Sequence, residues 1–114
     1  MAKKSNASQP STPPPRIFTA TLGSPGRVIR GREITEAEAV QERLIGRDIV
    51  VCGLIRKLNR NLARRIEAQV GPYILSAPHK DAGAYALPHF QPEPRPPAGH
   101  SFYETEHRKA AINP

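Results

Sequence analysis

The chain has 114 residues, room for one small domain, and carries 17 Lys and Arg against 10 Asp and Glu, a formal net charge of +7. A single cysteine, Cys52, excludes an internal disulfide and a cysteine-based zinc site, and no apolar run is long enough to cross a membrane. The positive charge favours a polyanionic partner, with nucleic acid ahead of an acidic membrane surface or an acidic protein.

Both ends of the chain are predicted to lie outside the fold. Residues 1–15 contain four prolines and three serines, with almost nothing apolar. Burial therefore cannot offset the entropy of ordering them, and we predict a disordered tail. Residues 106–114 are polar and are predicted to form a frayed C-terminal tail. A single α+β domain is expected over residues 16–105. The N-terminus lacks the apolar segment of a secretory signal, which predicts a cytoplasmic location.

The first half of the domain carries a clear helix signal. Residues 17–22 and 28–29 are short β-like runs on either side of a Gly-Ser-Pro-Gly turn. Thr35 and Glu38 have the spacing of a capping box, which predicts a helix over residues 36–45. The apolar side chains of this helix, which recur at helical spacing, are Ala37, Val40, Leu44 and Ile45.

A β-branched run over residues 48–52 lies between two glycines and predicts a buried strand. A second helix is expected over residues 56–70, with Leu58, Leu62 and Ile66 on its apolar side. The opposite side is basic, and its members are Arg56, Lys57, Arg60 and Arg64. Arg56, Arg60 and Arg64 are candidate phosphate-binding residues, although a solvated helix face explains such a stripe equally well.

Three further strands are predicted at residues 73–76, 87–91 and 99–105, the last two joined by a proline-rich turn. With the strand at 48–52 they give a small, mostly antiparallel sheet on which the two helices pack. The expected fold class is therefore α+β.

All four histidines of the chain lie between residues 79 and 107. Side chains alternate along a strand, so His100 and Phe102 should face one side of the last strand and Ser101 and Tyr103 the other. His89, on the preceding strand, should then lie within cross-strand reach of either His100 or Ser101.

Two neighbouring imidazoles can act as a base and an acid near neutral pH. Cleavage of RNA through its 2′-hydroxyl needs such a pair and requires no metal or other cofactor. We predict His89 and His100 as this pair, with His79 and Tyr103 assisting them. Arg95 or an arginine of the basic helix would bind the phosphate.

Other interpretations use the same residues. His79, His89, His100 and a carboxylate of Glu104 or Asp81 could ligate a metal, but intervals of ten and eleven residues between these histidines match no compact ligand motif. Alternatively, the histidines are structural and the chain is a non-catalytic basic module that binds nucleic acid or a partner protein. Cys52 lies in an apolar run, which predicts an inert thiol.

Residues 33–104, about two thirds of the chain, resemble small C-terminal toxin domains of bacterial polymorphic toxin systems. These are the variable ends of RHS-repeat and filamentous-haemagglutinin-like secreted proteins. The shared signature is a PH…PHF run followed by GHSFY, here Pro78-His79, Pro88-His89-Phe90 and residues 99–103.

The resemblance implies an antibacterial toxin, a ribonuclease of the barnase, colicin or RelE-like kind with a helical N-terminal part and a small antiparallel sheet. RNA would be its substrate, and the cytoplasm of a target cell its destination. A cognate immunity protein is expected, and an acidic one would suit so basic a toxin.

Overall fold

A computed structural model describes residues 13–24, 26–78, 83, 85–94 and 96–112. Within these residues the chain forms two helices and seven strands, which confirms the predicted α+β class. The helices are α1 (Glu36–Leu44) and α2 (Arg56–Ala68). The strands are β1 (Arg16–Gly23), β2 (Arg27–Ile34), β3 (Ile49–Cys52), β4 (Tyr73–Ser76), β5 (His89–Pro92), β6 (Ser101–Tyr103) and β7 (Ala111–Ile112). Neither of the described helices is long and apolar enough to span a membrane.

The described strands form one mixed sheet in the order β4-β5-β6-β3-β1-β2-β7. The pairs β3–β6 and β2–β7 are parallel, while the other four neighbouring pairs are antiparallel. The prediction of a mostly antiparallel sheet is therefore confirmed. The parallel pair β3–β6 lies near the middle of the sheet and brings together two segments about 50 residues apart in the chain.

The β1–β2 hairpin contributes more to the sheet than the sequence predicts. Each strand has eight residues, and β1 joins the hairpin to β3 through the antiparallel pairing of Ile17 with Val51. The expected sheet contained only the later strands, because glycines and arginines in the hairpin weaken its alternating pattern. Burial of Ile17 and Phe18 on β1 and of Val28 and Ile34 on β2 holds the hairpin in place.

The prediction of a frayed C-terminal tail over residues 106–114 is wrong for its last described residues. Ala111 and Ile112 form β7, which pairs with β2 at the edge of the sheet. Ala110 is buried, and its backbone N–H donates to Glu104 Oε2 at 2.8 Å. Small apolar side chains and this buried carboxylate fix a segment that looks polar as a whole. Residues 1–12 of the predicted N-terminal tail lie outside the described residues.

Apolar side chains are buried on both faces of the sheet. On one face α1 and α2 cover a cluster that includes Ile49, Val51, Ile66, Phe90 and Tyr103. On the other face a second cluster contains no residue of α1 or α2, and its members include Phe18, Val28, Val50, Leu87 and Phe102. The alternation of buried residues along β3, from Ile49 to Cys52, supplies both clusters and explains why this strand reads as continuously apolar.

The helix-covered core contains an ion pair with no solvent exposure on either side chain. Arg43 of α1 donates from Nε and Nη2 to the carboxylate of Glu67 of α2, at 2.9 and 3.2 Å. Its Nη1 donates to the backbone oxygens of Arg47 at 2.7 Å and Ala98 at 2.9 Å. Ser101 of β6 donates to Glu67 Oε1 at 2.7 Å. One network therefore joins both helices, β6 and the loop before β6.

The helix faces that are buried differ from those expected. On α2 the buried residues are Asn59, Leu62, Ala63, Ile66 and Glu67. Leu58 is 40% exposed, and in and after α1 Leu44 is 47% and Ile45 62% exposed. A prediction from apolar periodicity assigns charged side chains to the exposed side of a helix. It therefore cannot indicate that Arg43 and Glu67 face each other in the core.

Glu67→Gln should lower the free energy of unfolding by roughly 3–5 kcal/mol, because it keeps the shape of the side chain but leaves the buried Arg43 charge uncompensated. Glu36→Gln is the matched control: Glu36 pairs with Arg65, 64% exposed, at the surface, and its loss should cost under about 1 kcal/mol. Urea unfolding followed by circular dichroism measures both, and equal losses would contradict the assigned role of the buried pair.

Candidate active site

His89 and His100 lie side by side on the face of the sheet that the helices do not cover. Their ring centroids are 4.6 Å apart with an interplanar angle of 74°. Each ring also contacts Phe102, with centroids 5.1 Å apart in both cases. The β5–β6 register pairs His89 with Phe102 and Phe90 with Ser101. Because His100 precedes Phe102 by two residues, it falls on the same face as His89, and Ser101 falls on the other.

Asp48 holds His100 through a hydrogen bond that the sequence did not predict. The His100 Nδ1 and Asp48 Oδ1 atoms are 2.9 Å apart, and both side chains are about one-fifth exposed, at 22% and 19%. Asp48 immediately precedes β3 and His100 immediately precedes β6, two strands that run parallel with Ile49 beside Ser101. The Ile49 N–H donates to the His100 backbone oxygen at 3.0 Å. The contact between His100 and Asp48 can be predicted only if β3 and β6 are known to pair in parallel. The sequence carries no local signal for that pairing.

The contact with Asp48 sets the proton arrangement of His100. A carboxylate accepts hydrogen bonds, so in the neutral imidazole the proton sits on Nδ1 and the lone pair on Nε2. An imidazole oriented in this way is suited to remove a proton at Nε2, as a general base does. A carboxylate in this position would also balance a positive charge on the ring.

The ring nitrogens of His89 have different neighbours from those of His100. Its Nε2 lies 3.1 Å from Gln91 Oε1, and its Nδ1 lies 3.5 Å from the Leu87 backbone oxygen. Both neighbours are hydrogen-bond acceptors, so a nitrogen of His89 that carries a proton can donate to one of them. The arrangement suits His89 to the role of a general acid.

The two histidines line a cleft of about 290 Å³, which we name the histidine cleft. Leu22 and Gly26 of the β1–β2 hairpin form one side of it. Ser76 lies at the end of β4, directly opposite His89 across the β4–β5 pairing, and therefore on the same face. Ala77 and Pro78, which follow Ser76, also line the cleft. A mostly apolar enclosure with a few convergent polar groups is typical of a ligand site.

Two predicted site residues, His79 and Arg95, lie outside the described residues. Their assigned roles, assistance to the histidine pair and phosphate binding, stay predictions.

Tyr103 does not share the histidine face. It is 2% exposed and packs in the helix-covered cluster, with its ring centroid 5.8 Å from that of Phe90. Burial raises the pKa of its hydroxyl, and nearby Arg60 and Arg56 partly oppose this effect. The predicted assistance of Tyr103 to His89 and His100 is not supported, because Tyr103 follows Phe102 on β6 and so points to the opposite face.

The three arginines predicted to bind phosphate lie on the exposed surface of α2. Within the described part of the chain, Arg56, Arg60 and Arg64 form no ion pair. Arg65, on the same helix, is bound by Glu36 through two hydrogen bonds of 2.9 and 2.8 Å. We name Arg56, Arg60 and Arg64 the basic stripe. It lies on the helix side of the sheet, so the structure does not bring it into the histidine cleft.

The residues of the predicted metal set are only partly described. Among the described residues, no three side chains of His, Cys, Asp or Glu are grouped so as to hold a metal ion. Glu104 is 8% exposed and accepts from the backbone of Ala110 instead. His79 and Asp81 lie outside the described residues.

Cys52 is buried on the histidine face, in a cluster with Phe18 and Val50. Burial raises the pKa of its thiol to about 12, and the neighbouring Glu104 carboxylate acts in the same direction. The thiol is therefore protonated near neutral pH and is a poor nucleophile.

Iodoacetamide at pH 8 should alkylate Cys52 in the folded chain at least ~100-fold more slowly than in the chain unfolded by urea, since a raised thiol pKa removes the reactive thiolate. Mass spectrometry of timed samples measures the two rates. Comparable rates would show that the thiol is accessible and ionisable in the folded protein.

No protein-family model, no curated protein and no solved structure matches the chain.

Proposed function

We propose that the chain is a metal-independent ribonuclease that acts as an antibacterial toxin domain. The observation that carries this proposal is the contact of His89 with His100, together with the hydrogen bond from His100 to Asp48. One ring is arranged as a base and its neighbour as an acid, inside a cleft of about 290 Å³.

The reaction is a transfer of the phosphoryl group to the neighbouring 2′-oxygen. His100 Nε2 removes the proton of the 2′-hydroxyl, and the 2′-oxygen forms a bond to phosphorus. The bond from phosphorus to the 5′-oxygen breaks, and a protonated His89 gives its proton to that oxygen. The products are a 2′,3′-cyclic phosphate and a 5′-hydroxyl end. The charge of protonated His89 also stabilises the phosphorane, and Arg95 is the further cation that we propose for this site.

The proposed biological role combines this chemistry with the charge of the chain. The net charge of +7 and the exposed basic stripe favour a polyanionic substrate, for which RNA is our proposal. The resemblance of residues 33–104 to polymorphic toxin domains supports a role in competition between bacteria, with action in the cytoplasm of the target cell. An acidic immunity protein is the proposed partner in the producing cell, since opposite charge speeds association.

A non-catalytic docking module is the second candidate function. It is favoured by the position of the basic stripe on the exposed surface of α2, outside the lining of the histidine cleft, where it can bind a polyanion without any chemistry. The two candidates differ in one respect: the ribonuclease depends on His89 and His100, and the docking module does not.

His89→Ala and His100→Ala should each lower the rate of RNA cleavage by about 100-fold or more, the usual contribution of a general acid or base. Both variants should also abolish toxicity when the chain is expressed in bacteria. Cleavage is measured on a fluorescent RNA oligonucleotide, and growth is followed by optical density.

Arg32→Ala serves as the control, because Arg32 is exposed on β2 and does not line the histidine cleft. The unfolding midpoint of each histidine variant shows that it is folded. Unchanged toxicity and cleavage in both histidine variants, or a harmless wild type that leaves RNA intact, would contradict the nuclease.

Asp48→Asn should lower kcat by roughly 100-fold while KM changes little, because the Asn side chain no longer enforces the Nδ1 proton of His100 and does not balance the ring charge. The kinetics are measured on the same oligonucleotide, and Asp48→Glu should recover part of kcat. A wild-type kcat in Asp48→Asn would remove Asp48 from the mechanism.

A further inference from the structure

A second cleft, of about 320 Å³, opens beside the histidine cleft. It lies where α2 begins and where β4 and β6 end. Its lining includes Arg56, Leu75, Tyr103 and Arg108. We name it the basic cleft. The proposed cleavage reaction does not use it.

The two clefts form one continuous surface. Ala77 and Pro78 line both of them, so these two residues are the shared wall. The two linings also meet at a second place, since Leu87 lines the histidine cleft and the adjacent Pro88 lines the basic cleft. A flexible chain bound at the histidines therefore reaches the basic cleft by crossing Ala77 and Pro78.

The charges of the basic cleft favour an anion. Arg56 is exposed and forms no ion pair among the described residues. Arg60 follows one helical turn later, and both guanidinium groups are close enough to the Tyr103 hydroxyl to oppose the rise in its pKa. Arg108, which also lines the cleft, is held in place because its Nη1 donates to the backbone oxygens of Gly83 at 2.9 Å and Ala86 at 2.8 Å. Glu106 is the acidic side chain of the lining.

The start of α2 is a second feature that favours an anion in the basic cleft. No side chain caps this helix at Ile55, and its first turn contains no acidic residue. Arg56 and Lys57 stand there instead, where the positive end of the helix dipole disfavours cations. A bound anion beside Arg56 would relieve this repulsion and accept hydrogen bonds from the guanidinium group.

We propose that the basic cleft is a subsite for a second phosphate of single-stranded RNA, next to the phosphate held in the histidine cleft. This inference rests on the proposed function, because it takes RNA as the ligand. Arg56 binds the phosphate directly, Arg60 adds long-range attraction, and Arg108 adds a further positive charge to the lining. The consequence is a preference for oligonucleotides over dinucleotides.

The experiment compares a single-stranded 2′-O-methyl RNA of six nucleotides with one of two nucleotides, neither of which can undergo cleavage through a 2′-hydroxyl. Fluorescence anisotropy gives Kd for a labelled hexamer, and competition gives Kd for the dimer, at several salt concentrations. Arg56→Gln is the test variant, Arg56→Lys retains the charge, and Arg32→Gln is the matched control for net charge.

Wild type should bind the hexamer at least ~10-fold more tightly than the dimer. Arg56→Gln should weaken hexamer binding about 3- to 10-fold. It should also make the slope of log K against log salt less negative by ~0.7, the value for one phosphate contact on a single strand. Dimer binding should stay unchanged in Arg56→Gln. Arg56→Lys should retain most of the hexamer affinity, and Arg32→Gln should behave as wild type.

Equal hexamer affinity in Arg56→Gln and wild type, or an equal loss in Arg32→Gln, would overturn the subsite. A separate assay on unmodified RNA tests cleavage. The expected binding pattern without cleavage would support the subsite and refute the ribonuclease, whereas cleavage without that pattern would refute the subsite alone.

Discussion

The buried ion pair between Arg43 and Glu67 is the constraint on which the helices, the central strands and the histidine cleft all depend. Both side chains are fully enclosed, so each charge is stable only in the presence of the other. The pair fixes the rotation of α1 and α2 about their axes, since each helix must present its charge to the other. Ser101 donates to the same carboxylate, which ties β6 to α2.

This network also reaches the candidate active site. Arg43 donates to the Ala98 backbone oxygen and so holds the loop that leads to His100. Gly99 lies between Ala98 and His100 and has a φ of +89°. A side chain at this position would collide with the Arg43 guanidinium. Only glycine fits that conformation and that approach. The start of β6, and with it the hydrogen bond from His100 to Asp48, is therefore positioned from the helix side of the sheet.

The sequence was sufficient for the elements that carry local signals. The capping box at Thr35 and Glu38 predicts the start of α1, and both of its hydrogen bonds are present. Strand alternation places Ser101 and Tyr103 on one face and His100 on the other, as observed. The approach of His89 to His100 was also expected, but only the observed register places Phe102, and not His100, directly opposite His89.

The long-range strand pairing and the buried ion pair could not be predicted from the sequence, for physical reasons. Asp48 lies 52 residues from His100, and only the parallel register of β3 with β6 joins them. Arg43 and Glu67 carry the charges that normally mark a solvated helix face, so their burial has no signature in an apolar pattern. Ala111 and Ile112 are too short a run to indicate a strand, yet they pair with β2 at the edge of the sheet.

The histidine pair is proposed to cleave RNA by transfer to the 2′-oxygen, and the chemistry of the product ends distinguishes this reaction from metal-dependent hydrolysis. Purified protein is incubated with an end-labelled RNA oligonucleotide in the presence of EDTA, and the new ends are identified by mass spectrometry. We expect products that carry 2′,3′-cyclic phosphate and 5′-hydroxyl ends. Products with 3′-hydroxyl and 5′-phosphate ends, or cleavage that EDTA abolishes, would contradict the proposed reaction.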